Sequence, residues 1–304
     1  MITILHAPSP LGLKPQLEGR VSGVRRAPEA LRAAELHSRL GAAFAGTVEP
    51  PPYVADRDAV TGLRNVAAIA QYSVELADAT ARLLDGDAFP LVLGGDCSIL
   101  LGTALALRRR GRFGVVYVDA HPDYLTIDQT ETGGVAGLPL ALVTGLGPDA
   151  LVNLEHRTPY VDAHDTVSVA SRDDFQIRDL PGSTGKRVEH SPIRAYPLEL
   201  IRERSPGAVA RDVMERMAAR GVDGVWIHFD VDALDSAIMP AVDSPEPDGL
   251  TRAEAVELLS TLVAHPLARG LQVTIYDPDR DADGSAAGVL VDVLTGALEP
   301  RRGG

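Results

Sequence analysis

Two short apolar runs that each end in alternating acidic residues constrain the fold of this chain more than any other feature. Residues 115–123 read VVYVDAHPD, and residues 225–232 read VWIHFDVD. A short apolar run with β-branched members is typical of a strand that is buried on both faces. Strands of this kind usually belong to a parallel sheet that helices cover on both sides. We therefore predict an α/β protein with a central, mostly parallel sheet.

The acidic ends of the two runs predict a metal site. Asp119, His121 and Asp123 alternate along the first run, so an extended backbone would point their side chains to the same side. Asp230 and Asp232 alternate in the second run. Ligands bind beyond the carboxyl ends of parallel strands, where these carboxylates would repel one another without cations. Two divalent cations would stabilise the cluster and could activate a water molecule. The alternative is that the first motif only forms a turn after its strand.

Composition and charge exclude several classes of protein. With 304 residues, 45% of them hydrophobic, the chain is long enough to form a soluble globular protein with a large core. Its formal net charge of -13 argues against nucleic acid or an anionic membrane as a partner and suits a cationic small molecule better. The single cysteine excludes an intrachain disulfide. Since the amino terminus also shows no signal peptide or membrane span, we expect a cytoplasmic protein.

Strand and helix patterns alternate along the chain without internal repeats or low-complexity linkers, so we predict one domain over residues 1–304. Apolar runs predict further strands at residues 2–5, 90–93, 166–170 and 270–276. Helical periodicity predicts helices at residues 28–40, 66–84, 99–109, 209–220 and 286–298, and Thr251 with Glu254 forms a capping box for another. Residues 176–194 mix glycine, proline and charge, which predicts a surface excursion.

Four motifs lie in one order along the chain. They are GGDCS at residues 94–98, DAHPD at 119–123, TGGVAGLP at 132–139, and FDVDALD at 229–235 followed by SPEPDGL. Together with GVRRAPEALR at residues 23–32, their order and spacing resemble the ureohydrolase superfamily, which includes arginase and agmatinase. The resemblance covers nearly the whole chain. It implies a three-layer α/β/α domain that holds two Mn²⁺ ions bridged by a hydroxide.

The resemblance also implies a role for each acidic motif residue. Asp119 and Asp230 match the carboxylates that bridge the two ions. Asp123 matches a ligand of the first ion, whereas His121 and Asp232 match ligands of the second. The oxygen-rich ligand set agrees with Mn²⁺.

Substrate contacts follow from the same resemblance. Glu246 in SPEPDGL matches the carboxylate that receives the guanidinium group of the substrate. Asp123 would accept the proton of the nucleophile and return it to the leaving amine. Among the positions that hold the far end of the substrate in arginase, Leu125 and Gly134 carry no polar side chain here, and only Thr132 does. Ordinary L-arginine is therefore not the expected substrate.

Cys97 departs from the family pattern, which places a histidine ligand of the first ion there. We predict that Cys97 is a ligand, in which case the softer thiolate would favour Zn²⁺ or Fe²⁺ at that site. The alternative is a small buried residue, as is common for a lone cysteine. The site could then hold a single ion bound by His121, Asp230 and Asp232.

Ala136 is a second departure, because arginases and agmatinases have a histidine there that helps to move protons. His228 lies in phase with Asp230 and could replace that histidine as proton carrier or serve as a ligand. The alternative is a buried histidine that is hydrogen-bonded within the sheet.

These observations predict a metal-dependent hydrolase that cleaves a C–N bond in a linear amidine or guanidine and releases urea or a substituted urea. A substituted guanidine such as hydroxyarginine is a candidate substrate. The resemblance also implies a homo-oligomer, either a trimer or a hexamer. One alternative is a metal-dependent amide deacetylase, against which Glu246 and the paired aspartates argue. Another is a non-catalytic, metal-stabilised homologue that binds a guanidinium ligand or a partner, for which Cys97 and Ala136 argue.

Overall fold

A parallel β-sheet forms the centre of the protein. The computed structural model describes residues 1–15, 20–172 and 188–302, and within these ranges the sheet has eight strands in the order β2-β1-β3-β8-β7-β4-β5-β6. Every neighbouring pair of strands is parallel. The strands are β1 Ile2–Ala7, β2 Ala43–Thr47, β3 Phe89–Gly94, β4 Phe113–Val118, β5 Thr166–Val169, β6 Arg194–Tyr196, β7 Gly224–Asp230 and β8 Ala268–Thr274.

Helices connect the strands, as parallel pairing requires. In the described ranges they are α1 Ala27–Ala33, α2 Leu36–Leu40, α3 Val66–Leu84, α4 Leu100–Arg108, α5 Pro139–Val143, α6 Asp149–Val152, α7 Leu198–Arg204, α8 Pro206–Arg220, α9 Arg252–Ala264 and α10 Ser285–Ala297. Thr251 and Glu254 form the predicted capping box of α9. Among these described helices there is none with the length and apolar character needed to cross a membrane.

Alternate residues of strands β1, β3, β4 and β7 pack into two separate cores, one on each face of the sheet. Ile4 and Val116 belong to one core, whereas their neighbours Leu5 and Val115 belong to the other. Helices α1, α2 and α7 to α10 contribute to the first core, and helices α3 to α6 contribute to the second. The predicted three-layer α/β/α architecture with a parallel central sheet is confirmed.

Three local predictions need correction or completion. The helix predicted over residues 28–40 is two helices, because Glu35 adopts a left-handed conformation with φ of 66° that breaks the backbone pattern between α1 and α2. Sequence patterns missed strands β2 and β6, which are short edge strands without a buried apolar run. Of the predicted excursion at 176–194, residues 176–187 lie outside the described residues.

Strand order brings the acidic motifs together. The four central strands β3, β8, β7 and β4 are adjacent, and the GGDCS, DAHPD and FDVD motifs begin at the carboxyl ends of β3, β4 and β7. Because the strands are parallel, all three motifs lie along one edge of the sheet, where such folds bind their ligands.

The opposite end of the sheet contains a buried ion pair that predicts a pH dependence of stability. Asp165 is fully buried, and its carboxylate accepts hydrogen bonds from Arg112 at 2.6 Å and 2.9 Å and from Arg220 at 2.7 Å. Burial alone would raise the pKa of Asp165, but the two guanidinium groups lower it below its ordinary value. Because the pKa of Asp165 is lower in the folded protein than in the unfolded chain, its ionised carboxylate stabilises the fold at neutral pH. This contribution is lost as the pH falls through the pKa of the folded state.

We expect Asp165→Asn to lower the free energy of unfolding at pH 7 by about 2 kcal/mol, since both arginines are partly exposed and solvent screens them. The difference from the unsubstituted protein should shrink as the pH falls to about 3, near the ordinary range of a carboxyl group. Urea denaturation across this range measures it. Asp223→Asn is a matched control, because the Asp223 carboxylate accepts the backbone N–H of Arg112 and shows no such pairing with two arginines. If Asp165→Asn lowers the free energy of unfolding equally at pH 7 and at about pH 3, the lowered pKa of Asp165 is contradicted.

Candidate metal centre

A tight turn after β3 places Cys97 at the sheet edge. A Cβ atom at Gly95 would lie 1.8 Å from the carbonyl oxygen of Ser9, so only glycine fits there. The Asp96 carboxylate then accepts the backbone N–H of Ser98 at 2.8 Å and that of Gly12 at 2.9 Å. These bonds cap the short 3₁₀ turn Cys97–Ile99 and fix the direction of the cysteine side chain.

The predicted ligands meet in two groups. Asp119, His121 and Asp232 have ligand atoms that all lie within 4.8 Å of one another. A second group with the same spacing consists of Cys97, Asp119, His228 and Asp230. All of these side chains are buried, and Asp119 belongs to both groups. Each group is a candidate site for one ion, and Asp119 contributes to both groups.

Individual contacts define the geometry of these groups. The Cys97 thiol donates to Asp230 Oδ2 at 2.7 Å. His121 Nδ1 lies 2.9 Å from Asp232 Oδ2 and 3.4 Å from Asp119 Oδ1. Asp119 and Asp230, which come from two different strands, therefore lie in one cluster.

Asp123 lies beside this cluster and is held by an aromatic hydroxyl. The Tyr117 hydroxyl donates to Asp123 Oδ2 at 2.6 Å, and both side chains are buried. The backbone of Asp123 has a positive φ of 46°, an uncommon conformation that turns its side chain back toward the end of β4.

Burial and mutual repulsion govern the ionisation of the cluster. Burial and the charge of Asp232 raise the pKa of Asp119 to about 7. Burial and neighbouring carboxylates raise the pKa values of Asp123 and Asp230 well above their ordinary range. For His121, burial alone would lower the pKa, but Asp232 raises it above its ordinary value. The cluster is therefore an electrostatically unfavourable group of acids that a cation would stabilise.

The ligand set fits divalent metal ions. Asp119 Oδ2 is buried and has no hydrogen-bond partner among the described residues, which is costly for a carboxylate oxygen unless a cation occupies the space beside it. Carboxylates and an imidazole are ligands that Mn²⁺ accepts, and a thiolate suits Zn²⁺ or Fe²⁺. Burial, and next the charge of Asp230, raises the pKa of the Cys97 thiol well above its ordinary range, which opposes ionisation until a cation is bound.

The cluster forms the floor of a cavity of about 330 Å³. Cys97, His121, Asp123, Asp230 and Asp232 line this cavity. The wall that faces them includes Thr132, Ala136, Leu125, Gly134, Lys14, Asp243 and Ile275. Space and polar groups for a small molecule therefore lie directly above the predicted ligands.

Three residues predicted to be functional, Asp119, His228 and Glu246, do not line this cavity, although Asp119 belongs to the buried cluster. His228 is completely buried within the sheet, where Gln272 Nε2 lies 2.7 Å from its Nδ1 atom. Burial lowers the pKa of His228 to about 3, so the imidazole is neutral. The carboxylate of Glu246 lies 4.0 Å from His121 Nε2 and is one-third exposed in a separate depression beside Arg172.

Two residues at the site were missed by sequence reasoning. Arg172, which follows β5, donates to the backbone carbonyls of Asp232, Ala233, Leu234, Glu246 and Pro247. It thereby ties the loop after β7 to the metal centre. Asp243, from the same loop, lines the main cavity, and burial raises its pKa above the ordinary value. An arginine three residues after the end of a buried strand was a sequence signal for Arg172, whereas the position of Asp243 depends on the path of the loop.

Comparisons with known proteins agree with this geometry. The model of the arginase family matches residues 13–298. The chain belongs to the arginase family. It is 28% identical to the arginase of Bacillus subtilis over 295 residues, which cover 95% of this chain and 97% of that protein. It is 30% identical to the arginase of Bacillus caldovelox over 238 residues, 77% of each chain. The solved structure of the Bacillus caldovelox enzyme superposes with a TM-score of 0.86 at 26% identity and 98% coverage of both chains.

Membership of the arginase family confirms the resemblance inferred from the motifs. The similarity extends over the whole sheet, and so includes the three strand ends that carry the predicted ligands. With Cys97 as a member of the buried cluster, this chain is a divergent member of the family.

Proposed function

We propose that this arginase-family protein is a metal-dependent amidinohydrolase. It would cleave a C–N bond of a linear guanidine or amidine and release urea or a substituted urea. The observation that carries the proposal is the buried cluster of acids at the cavity floor, with an unpartnered oxygen on Asp119.

The ions are proposed to be two Mn²⁺, with Zn²⁺ or Fe²⁺ as an alternative at the Cys97 position. Asp119 and Asp230 would bridge the two ions. Asp123 and Cys97 would complete the first position, and His121 and Asp232 the second. When bound, divalent cations supply a water molecule with a lowered pKa, so that it can act as a nucleophile near neutral pH.

Asp123 is proposed to carry the proton. Its carboxylate lines the cavity, and one oxygen is fixed by the Tyr117 hydroxyl while the other can face the reacting atoms. Burial raises the pKa of Asp123, which favours a group that accepts a proton and then returns it to the leaving amine. Ala136 offers no alternative at the position opposite, since a methyl group cannot move protons.

One or both acids of the loop after β7 are proposed to receive the guanidinium group. Glu246 is the residue proposed from the motif, and Asp243 is the acid of this loop that lines the main cavity. A charge-assisted hydrogen bond from a guanidinium to a carboxylate is worth about 1.5–3 kcal/mol. Arg172 holds the backbone of the loop, which limits how far either acid can move.

We expect Asp243→Asn and Glu246→Gln each to raise KM, because each removes a negative charge from the substrate side of the site. The larger rise in KM, about 10- to 150-fold if 1.5–3 kcal/mol is lost, is expected for Asp243→Asn. Steady-state kinetics with the best substrate of the protein measure both variants. A large effect of Glu246→Gln alone would assign the guanidinium contact to Glu246. Unchanged KM values in both variants would contradict a role of this loop in binding the cation.

The substrate is proposed to be a guanidino compound other than ordinary L-arginine, and a substituted guanidine such as hydroxyarginine is a candidate because Cys97 would be a softer metal ligand. Hydroxyarginine and L-arginine share the same amino-acid tail, so the residues that would contact the tail bear on both compounds alike. Leu125 and Gly134 offer no polar side chain to an amino-acid tail, and the Thr132 hydroxyl already accepts the N–H of Gly134 at 3.0 Å. Polar groups that line the cavity on the substrate side also include Lys14, Thr130 and Ser244, and Lys14 would suit an anionic group on the tail.

Urea release from a panel of guanidino compounds, with Mn²⁺ added, tests the proposal. The panel should include L-arginine, agmatine and hydroxyarginine, and hydroxyurea should be assayed beside urea. We expect turnover of at least one compound. Release of acetate from acetylated amines would support a deacetylase instead. Failure of the metal-loaded protein to act on any compound would favour the non-catalytic homologue.

The assembly and location of the protein are further proposals. By the family resemblance we propose a homo-oligomer, a trimer or hexamer, which sedimentation equilibrium can measure. A single buried cysteine and no possible intrachain disulfide support a cytoplasmic location.

A further inference from the structure

A row of buried polar side chains lies behind the metal ligands, on the two adjacent strands β7 and β8. His228 stands directly opposite Gln272, and Asp230 stands directly opposite Thr274. Trp226, one step further back on β7, stands opposite Gly270. A Cβ atom at Gly270 would lie 2.2 Å from the Trp226 ring, so the glycine leaves the space that the indole occupies. From there the indole N–H reaches Gln272.

The hydrogen bonds of Gln272 fix the orientation of its amide group. Its Oε1 atom lies 2.8 Å from Trp226 Nε1 and 2.6 Å from Thr103 Oγ1. An indole N–H can only donate, so the atom that faces it must be the amide oxygen. The amide NH₂ group of Gln272 therefore faces His228 Nδ1, at 2.7 Å.

This orientation determines where His228 carries its proton. A nitrogen that accepts a hydrogen bond from an amide NH₂ group cannot itself be protonated, so Nδ1 is the acceptor and the ring is neutral. The single proton of the neutral imidazole is then on Nε2. Tyr117 stacks on the ring with centroids 4.1 Å apart and planes 5° from parallel, which holds the imidazole in this position.

The Nε2–H group of His228 faces the metal ligands through Thr274. Thr274 Oγ1 lies 3.4 Å from His228 Nε2, 3.4 Å from Asp230 Oδ2 and 3.3 Å from Cys97 Sγ. A hydroxyl that accepts from the imidazole has its own proton available for Asp230. All four side chains are buried, so water does not compete for these bonds.

We propose that His228 is a positioning residue whose Nε2–H form, fixed by the Trp226–Gln272 pair, orients Asp230 and Cys97 through the Thr274 hydroxyl. In this role His228 is neither a metal ligand nor a proton carrier, although its imidazole lies close enough to Cys97, Asp119 and Asp230 to be mistaken for a metal ligand. The inference rests on the proposed function, since it assumes that Asp230 and Cys97 bind metal. Hydrogen bonds from behind a ligand commonly change metal affinity 10- to 100-fold.

Imidazole ¹⁵N NMR of the full-length protein tests the proton position directly, with His228→Gln to assign the signal. We expect Nε2 to carry the proton in the metal-free protein and to keep it when Zn²⁺, a diamagnetic probe, is added. Loss of the Nε2 proton on addition of Zn²⁺ would make His228 a ligand and overturn the proposal. A proton on Nδ1 in the metal-free protein would overturn it as well.

Metal affinity of matched variants tests the positioning role. Gln272→Glu cannot donate to Nδ1 and should move the proton to that atom, which we expect to weaken Mn²⁺ or Zn²⁺ binding about 10- to 100-fold by calorimetry. Thr103→Val is the control, because it removes one bond to the Gln272 oxygen yet leaves Trp226 to orient the amide. We expect Thr103→Val to lower the melting temperature with unchanged metal affinity.

Equal affinity losses in both variants would reduce the network to a purely structural role and overturn the proposal. If Gln272→Glu fails to fold, the double variant Trp226→Phe with Thr103→Val is the second test, because it removes both donors to the amide oxygen of Gln272. Unchanged affinity in the variant used would also overturn the proposal. If the unsubstituted protein binds neither Mn²⁺ nor Zn²⁺, the proposed function fails, and the positioning role fails with it even where NMR finds the Nε2 proton.

Discussion

Replacement of Asp230 by asparagine is expected to abolish metal binding and hydrolysis together. The Asp230 side chain lies between the Cys97 thiol and the end of β8, and it is proposed to bridge both ions. An amide has almost the same shape but no charge, so the variant should keep the fold. In metalloproteins, substitution of residues that hydrogen-bond to the metal ligands lowers metal affinity or activity about 10- to 100-fold. Loss of a bridging ligand itself should therefore reduce kcat/KM by more than about 100-fold.

The stability of Asp230→Asn should differ from that of the unsubstituted protein mainly when metal is present. Without metal, Asp230→Asn should be at least as stable as the unsubstituted protein, because it removes one charge from a buried group of acids. With Mn²⁺ at 100 times its dissociation constant, the unsubstituted protein should gain about 2.7 kcal/mol, and the variant should gain much less. Thermal unfolding with and without metal, together with metal analysis, measures both effects.

Asp165→Asn is a suitable control for Asp230→Asn. It changes a buried carboxylate at the opposite end of the sheet, one that pairs with Arg112 and Arg220 and does not belong to the cluster. It should lower stability and leave the metal content unchanged. Unchanged metal content in Asp230→Asn would contradict the bridging role and, with it, the proposed site.

Replacement of Cys97 by histidine is expected to shift the metal preference of the first position toward Mn²⁺. Imidazole nitrogen is a harder ligand than thiolate sulfur, and it binds without first losing a proton from a buried, high-pKa thiol. We expect Mn²⁺ affinity to rise and Zn²⁺ affinity to fall. The ratio of the Mn²⁺ affinity to the Zn²⁺ affinity should increase by about 10-fold or more, which corresponds to about 1.4 kcal/mol. Competition titrations with a chelator measure the two affinities.

Cys97→Ser separates coordination from packing. Serine is smaller and binds metals weakly, so it should lower Zn²⁺ affinity if the sulfur is a ligand. If Cys97→His and Cys97→Ser both leave the affinities for Mn²⁺ and Zn²⁺ unchanged, Cys97 lies outside the coordination shell. The site would then depend on His121, Asp230 and Asp232 for a single ion.

The core of the fold and much of the cluster could be predicted because they follow from local patterns. Strands β4 and β7 are continuous apolar runs, and alternation places Asp119 and Asp230 at their ends on the side where parallel strands bind ligands. The edge strands β2 and β6 lack such runs, since a strand at the edge is partly exposed. Glu35, in a left-handed conformation within an otherwise helical pattern, gave no local signal of the break.

Contacts between distant parts of the chain could not be predicted. The state of His228 depends on Gln272, and that of Gln272 on Trp226 and Thr103, none of which carries a motif. The sequence left His228 open among a proton carrier, a ligand and a buried residue for this reason. Asp243 reaches the cavity only because its loop folds back over the site.

The position of β8 determines when the metal centre can form during synthesis. Strand β8 is the last strand in the sequence, yet it lies between β3 and β7, which carry Cys97 and Asp230 at their ends. Until residues 268–274 have left the ribosome, the strand that joins β3 to β7 in the sheet is missing. Strands β4 and β7 pair directly and carry Asp119, His121 and Asp232, so only the group that contains Cys97 depends on β8, and a product truncated before β8 would lack that group.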